Sequence, residues 1–215
     1  MITVACVLKV GGLYTADHVR VLESMVSRNL DGIDRFVCLS DAPFILPFVE
    51  RIPLAHRWLG GWSKLELFRP KIFDDQERVL YFDIASVITG NLSSLAARKE
   101  TFVTLWRQME KPRVRLSSKV MLFTAGNMAD IYSTFARTPA KMAEVAKSPD
   151  AVIDRYAMRP AYWEDVLPGQ VLSYEAHCLQ GLPADARVVT FDQQRPWDLI
   201  EQDWIREHYT AEVAA

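Results

Sequence analysis

The sequence lacks the short motifs that assign a chemistry at once. It contains no Walker loop, no G-x-G-x-x-G, no G-x-S-x-G and no H-E-x-x-H, so nothing indicates a P-loop, a dinucleotide fingerprint, a serine hydrolase elbow or a zinc protease helix. The formal net charge is −2 over 215 residues, which excludes a global basic field for nucleic acid or anionic membranes. No apolar run approaches the roughly 20 residues of a membrane span.

Cysteine is also scarce. The three cysteines, Cys6, Cys38 and Cys178, have no metal-like spacing, and each falls in or at the end of a predicted strand. They are therefore predicted to be reduced core residues of a cytoplasmic protein. The first ten residues, MITVACVLKV, have neither a charged n-region nor a cleavage site, so we expect no signal peptide there.

What the N-terminal half does contain is an alternation of apolar strands and helical patterns. Buried strands are predicted at 2–8, 35–40, 49–54 and 78–83, with helices at 15–30 and 63–68. Continuous apolar strands that alternate with helices favour an α/β fold with a mostly parallel central sheet flanked by helices. Ligands bind such sheets at the carboxyl ends of the strands.

The C-terminal half is less regular. Its predicted strands are 101–106, 118–126, 170–178 and 186–191, its predicted helices are 129–137 and 140–147, and the tail 197–208 is amphipathic. No linker is long enough to separate domains, so we predict one domain over 1–215, with halves at about 1–92 and about 93–215.

Asp83 is the first candidate for chemistry, because it ends the apolar strand RVLYF. An ionised carboxylate at a buried strand tip must be paired, bound to a metal or hydrogen-bonded to a ligand. The structural alternative is an aspartate that caps the following turn, which is common.

Two cations are candidates for binding phosphate. Lys64 lies in GGWSKLELFRP at 60–70, after a glycine pair and on the first turn of a predicted helix, where cation and helix amides together suit a phosphate group. Arg195 follows the strand at 186–191, and its guanidinium fork suits diphosphate oxygens. The alternatives are a solvated lysine and an arginine that packs over Trp197.

A polar segment leads into the strand at 118–126. Ser117 or Ser118 can bond a sugar hydroxyl, or the pair simply begins an edge strand. A basic stretch covers the same region, and it fits either a solvated loop or edge strand or a contact to a charged acceptor: Arg107, Lys111, Arg113, Arg115 and Lys119.

Taken in order, these segments resemble the nucleotide-sugar glycosyltransferases of the GT-A fold. The resemblance is greatest to the family-8-like group of glycogenin and the bacterial lipopolysaccharide galactosyltransferases. It covers most of the chain and rests on six blocks: GGLY at 11–14, CLSD at 38–41, GGWSKLELF at 60–68, RVLYFDIASVITGNLSSL at 78–95, SYEAHC at 173–178 and LPADARVVTFDQQRPW at 182–197.

The resemblance implies a protein that binds a nucleoside diphosphate sugar, with a UDP-sugar expected. The sugar would be transferred to a hydroxyl acceptor on a glycan or a lipid-linked glycan. The basic stretch at 107–119 adds a modified nucleic acid as a weaker acceptor candidate. Residues 1–92 would bind the nucleotide and 93–215 the acceptor. The implied contacts are Gly11, Tyr14, Ser40 and Asp41 to the nucleoside, Lys64 and Arg195 to the diphosphate, and Ser117 and Ser118 to the sugar or acceptor.

The departures from the family fall on its metal site. The family's D-x-D is Asp83-Ile84-Ala85 here, and its late histidine ligand aligns with Asp192. Asp83 and Asp192 are therefore the expected catalytic residues and the expected ligands of Mn²⁺ or Mg²⁺, since Mg²⁺ commonly uses only one or two protein carboxylates. Two alternatives stay open: Lys64 and Arg195 neutralise the diphosphate without metal, or catalysis is lost and a non-catalytic binding protein remains.

Overall fold

The computed structural model describes residues 2–106, 114–157 and 159–211. Arg107, Lys111 and Arg113 of the basic stretch lie outside these ranges. The described residues form a seven-stranded sheet and a three-stranded sheet. In chain order the strands are β1 (Ile2–Leu8), β2 (Ile33–Ser40), β3 (Glu50–Pro53), β4 (Arg78–Phe82), β5 (Val87–Ile88), β6 (Phe102–Trp106), β7 (Leu116–Thr124), β8 (Ala161–Tyr162), β9 (Val171–Ser173) and β10 (Val188–Thr190).

Helices pack on both faces of the large sheet. The α-helices are α1 (Ala16–Asn29), α2 (Ser93–Ala96), α3 (Ala129–Arg137), α4 (Pro139–Ala146), α5 (Pro149–Tyr156), α6 (Trp163–Val166), α7 (Tyr174–His177) and α8 (Asp203–His208), and the 3₁₀ helices are Gly60–Phe68 and Pro196–Asp198. None of the helices in the described ranges is long and apolar enough to cross a membrane.

The large sheet has the order β3-β2-β1-β4-β7-β6-β8. β1 pairs in parallel with β2 and β4, and β2 with β3, whereas β7 runs antiparallel to β4 and β6. The inner strand β1 is apolar on both faces because each face carries a core cluster, with Val4 in one and Ala5 in the other, both fully buried. The predicted α/β fold with a mostly parallel sheet is confirmed.

The parallel strands β1, β2 and β4 end at the same edge of the sheet, which we call the rim. Gly11, Asp41 and Asp83 follow these three strands. The small sheet, of order β5-β10-β9, brings the C-terminal half to the same place. β5 begins four residues after Asp83, and its partner β10 ends just before Phe191 and Asp192.

One predicted strand is wrong for most of its length. Residues 170–178 were expected to form a continuous strand, but β9 covers only Val171–Ser173 and the chain turns into α7. The turn places Tyr174 in the core, where its ring stacks on Phe191 at a centroid distance of 5.0 Å.

Candidate functional site

Lys64 and Asp83 form an ion pair at the rim. The ammonium nitrogen of Lys64 lies 3.4 Å from Oδ2 of Asp83, and the two side chains are 12% and 27% exposed. The same ammonium donates hydrogen bonds to the carbonyl oxygen and to Oγ of Ser118, both at 3.2 Å. The 3₁₀ helix Gly60–Phe68 positions the lysine, and the strand β4 positions the aspartate.

Asp83 also caps the turn that follows β4. Its Oδ1 accepts a hydrogen bond from the amide of Ala85 at 3.3 Å, and its carbonyl oxygen accepts one from the amide of Ser86 at 2.9 Å. Its own amide donates to the carbonyl oxygen of Lys119 at 2.7 Å. Asp83 is therefore both a turn cap and a paired carboxylate: one oxygen binds the turn and the other pairs with Lys64.

Ser118 links Lys64 to helix α5. The side chain of Ser118 is buried, and its hydroxyl donates to the carboxylate of Asp150. Ser117 is also buried, and its carbonyl oxygen accepts a hydrogen bond from Oγ1 of Thr104 at 2.8 Å. In this arrangement the Ser118 hydroxyl holds the lysine in place.

Lys119 and Asp192 form a second ion pair beside the first. The Lys119 ammonium contacts the Asp192 carboxylate and also donates to the carbonyl oxygen of Phe191. The lysine side chain is 19% exposed and the aspartate side chain 50%. Because the Asp83 amide bonds to the Lys119 carbonyl, Lys119 connects the segment at 83 with the segment at 192.

Glu175 on α7 holds the loop that carries Asp192. Its Oε1 accepts hydrogen bonds from the amides of Asp192 and Gln193 at 2.8 Å and of Gln194 at 3.3 Å. Burial by itself raises the pKa of Glu175, but the hydrogen bonds from these amides outweigh it and leave the pKa below its usual range.

Tyr14 lies close enough to both Arg195 and Asp83 for their charges to affect its pKa. Burial raises the pKa of Tyr14 to about 12, with a further increase from the Asp83 carboxylate and an opposing effect from Arg195. The tyrosine ring lies 5.6 Å from the ring of Trp197, and the Arg195 guanidinium lies over the same Trp197 ring at 5.6 Å. Arg195, whose guanidinium also pairs with Asp198, thus packs over the tryptophan that contacts Tyr14.

The loops after β1 and β2 are joined by Asp41. Its Oδ1 accepts a hydrogen bond from the Val10 amide at 2.8 Å, and its carboxylate pairs with Lys9. Burial by itself raises the pKa of Asp41, but the hydrogen bonds from Lys9 and the Val10 amide together outweigh it and leave the pKa below its usual value. Ser40 is buried, and its Oγ accepts the Ala42 amide at 3.0 Å, so Asp41 is the exposed member of the predicted pair. Gly11 is exposed, with φ at 89°.

The donors at the rim do not fit a divalent cation. Asp83 and Asp192 are each paired with a lysine, and position 85 is an alanine with no donor side chain. Across the described ranges, no three His, Cys, Asp or Glu side chains come together as a metal-binding group. The Mn²⁺ or Mg²⁺ site stays a prediction of the resemblance, and the charge arrangement argues against it.

Sequence reasoning missed two residues of this site. Lys119 was identified only as one member of the basic stretch. Its position between Ser118 and the apolar strand residues that follow was the signal that could have marked it. Glu175 carried no signal, because its three amide partners are about twenty residues away in the chain and meet it only through the pairing of β9 with β10.

Comparison with known proteins places this geometry in context. No family model matches the sequence, and no curated protein matches it. Among solved structures, the glycosyltransferase GlyE of Streptococcus pneumoniae TIGR4 superposes with a TM-score of 0.71 at 12% identity, over 99% of this chain and 62% of that one. The chain therefore spans less than two thirds of GlyE.

Two further glycosyltransferases share the architecture. The galactosyltransferase LgtC, in complex with donor and acceptor sugar analogs, has a TM-score of 0.66 at 13% identity, over 96% of this chain and 93% of that chain. The bifunctional glycosyltransferase WbbM has a TM-score of 0.58 at 13% identity, over 99% of this chain and 52% of that one. These likenesses extend over nearly the whole of the present chain, and its fold is that of the GT-A glycosyltransferases.

Proposed function

We propose that this protein binds a nucleoside diphosphate sugar at the rim and transfers the sugar to a hydroxyl acceptor. The proposal is supported by the Lys64–Asp83 ion pair at the rim and by Tyr14, which lies close enough to both Asp83 and Arg195 for their charges to act on its pKa. Cations from distant parts of the chain, brought near the carboxyl ends of parallel strands, would form the kind of site that binds linked phosphates.

In the proposed complex, Lys64 and Arg195 bind the diphosphate. The Arg195–Asp198 pair is substantially exposed, with side chains 38% and 45% accessible, so it is weak and is readily exchanged for a diphosphate. Gly11, Tyr14 and the Ser40–Asp41 pair would hold the nucleoside, with Tyr14 as a hydrogen-bond donor because its hydroxyl stays protonated at neutral pH. Ser117 and Ser118 would support the sugar pocket from the buried side, Ser118 by fixing Lys64.

The transfer itself exchanges one bond at the sugar carbon. The bond from that carbon to the diphosphate oxygen breaks, and its electron pair leaves with the diphosphate. The acceptor oxygen forms the new bond, and its hydroxyl proton ends on the departing diphosphate. Preorganised cations near the leaving oxygen stabilise the charge that develops there.

The donor and acceptor classes follow the resemblance and the structural neighbours. We propose a UDP-sugar donor and a glycan or lipid-linked glycan acceptor, and the complex of LgtC with donor and acceptor sugar analogs supports this pairing of substrates. A modified nucleic acid is the weaker acceptor candidate.

We also propose a cytoplasmic location, since the three cysteines are free and buried.

A non-catalytic binding protein on the same fold is the second candidate. Ala85 favours it, because a carboxylate that the family uses is missing. The retained cations at 64 and 195 favour the enzyme, since a scaffold has no use for diphosphate charges.

Titration calorimetry with UDP-, GDP- and CDP-sugars, with and without Mn²⁺, tests the proposal. We expect micromolar to sub-millimolar binding of one of them, followed by slow hydrolysis on long incubation. Binding without any hydrolysis or transfer would favour the non-catalytic protein, and no binding of any nucleotide would overturn both.

A further inference from the structure

We propose that Lys119 takes the role of a divalent cation, so that this site neutralises a diphosphate leaving group with ammonium ions. The inference rests on the proposed function and names the groups that replace its metal. It is drawn from the second ion pair of the rim, Lys119–Asp192.

The position of Lys119 is the first argument. Its carbonyl oxygen accepts the Asp83 amide at 2.7 Å, and its ammonium contacts Asp192. The resemblance gives a metal ligand to each of these two positions. Lys119 thus contacts both positions, with its backbone at Asp83 and its side chain at Asp192. The related enzymes hold their cation between ligands at these two positions.

The charge balance is the second argument. Here the carboxylates of Asp83 and Asp192 are paired with the ammonium groups of Lys64 and Lys119, so the four charges sum to zero without a metal ion. The substitution at Ala85 removes one carboxylate, Asp192 restores it, and two lysines supply the positive charges.

The hydrogen-bonding capacity of Lys119 is the third argument. An ammonium has three N–H donors. Among the described residues the Lys119 ammonium has two acceptors, the Asp192 carboxylate and the Phe191 carbonyl. The third N–H is available to an oxygen of the diphosphate, and the 19% exposure of the side chain leaves it accessible from the rim.

The test compares variants in excess EDTA by calorimetry, with UDP and inorganic pyrophosphate as probes. We expect the wild-type protein to bind both without metal, and Lys119→Met to bind them at least tenfold more weakly. Lys119→Arg should keep most of the affinity, and Lys141→Met, an exposed lysine on α4, should match the wild type. Thermal unfolding of each variant confirms that it is folded.

Asp192→Asn provides an independent test, because it removes the negative charge of this half-exposed side chain without disturbing the core. If Lys119 is the diphosphate cation, freeing it from its carboxylate leaves pyrophosphate binding in EDTA unchanged or tighter. If Asp192 is a metal ligand, the same variant weakens Mn²⁺-dependent binding.

Two results would overturn the inference while the proposed function stands: wild-type binding of UDP that is lost in EDTA and restored by Mn²⁺, or Lys119→Met that binds like the wild type in EDTA. If neither pyrophosphate nor any nucleotide binds under either condition, the proposed function fails, and this inference fails with it.

Discussion

Oε1 of Glu175 lies 2.8 Å from the amide nitrogen of Asp192 and accepts its hydrogen bond. Two more amides of the same loop bind the same oxygen. A charged carboxylate on one short helix therefore fixes the loop that carries Asp192 and leads to Arg195. Glu175 is a positioning residue, since it acts on the proposed site only through this loop.

The Glu175 contacts predict a specific acid dependence of stability. Because the folded-state pKa is lowered, the contribution of Glu175 is present above the unfolded pKa of about 4.3 and is lost as pH falls through the folded value. Glu175→Gln should lower the free energy of unfolding at neutral pH and flatten its decline between about pH 5 and about pH 3. Urea unfolding at each pH measures this, and parallel curves for the two proteins would contradict it.

Removal of Lys64 should weaken nucleotide binding strongly. Lys64→Met deletes the cation beside Asp83 and leaves a half-buried carboxylate without its ammonium partner. We expect the Kd for UDP to rise by about tenfold to a hundredfold, which corresponds to about 1.4 to 2.7 kcal/mol. Calorimetry measures the change, with Lys141→Met as the matched control. Equal affinities of Lys64→Met and the control would place the diphosphate elsewhere.

Restoring the missing carboxylate should create a metal site only when Lys119 is also removed. Ala85 is buried, so Ala85→Asp places a charge where burial is costly unless a cation binds. With Lys119 present, we expect a lower melting temperature and little response to Mn²⁺. Together with Lys119→Met, Mn²⁺ should raise the melting temperature by several degrees.

Differential scanning fluorimetry with and without Mn²⁺ provides the measurement for this pair of variants. Ala97→Asp, at an exposed position, controls for non-specific metal binding. A Mn²⁺ response of the single variant as large as that of the double variant would argue against competition between Lys119 and the metal.

The two glycines after β1 should respond differently to alanine. Gly11 has φ at 89°, where an L side chain is strained, although among the described residues beyond its chain neighbours no atom lies within 4 Å of the added Cβ. Gly11→Ala should therefore cost about 1 to 2 kcal/mol of backbone strain and weaken UDP binding by displacing the loop. At Gly12 the added Cβ meets only the Lys9 carbonyl oxygen at 3.8 Å, so Gly12→Ala should be nearly neutral.

Urea unfolding and calorimetry on both glycine variants make this comparison. Equal stabilities of the two variants would show that the loop adapts its backbone freely. In that case the loop would have no fixed role in holding the nucleoside.

Local pattern was sufficient for most strands of the sheet and for the two residues of the first ion pair, although not for the contact between them. β1 and β4 are continuous apolar runs, which is typical of strands covered on both faces, and α1 follows an apolar stripe at helical spacing. Lys64 and Asp83 were identified because each is unusual where it stands: a lysine after a glycine pair, and a carboxylate at an apolar strand tip.

The second ion pair could not be predicted in the same way. Lys119 and Asp192 are ordinary surface residue types in the sequence, and their contact depends on the register of β7 against β4 and on the position of β10. Likewise the strand predicted at 170–178 ends early because burial of Tyr174 beside Phe191 outweighs the β propensity of the segment. Tertiary packing decides both cases.

Strands from the two sequence halves pair in both sheets, and this has a practical consequence. β7 pairs with β4 over five residues, and β10 pairs with β5. Expressing 1–92 by itself would expose the unpaired edges of β4 and β5, and such edges drive aggregation. A binding study on an isolated N-terminal fragment would therefore measure a misfolded or aggregated protein. The co-expressed fragments 1–92 and 93–215 should instead associate into a folded complex with both sheets complete.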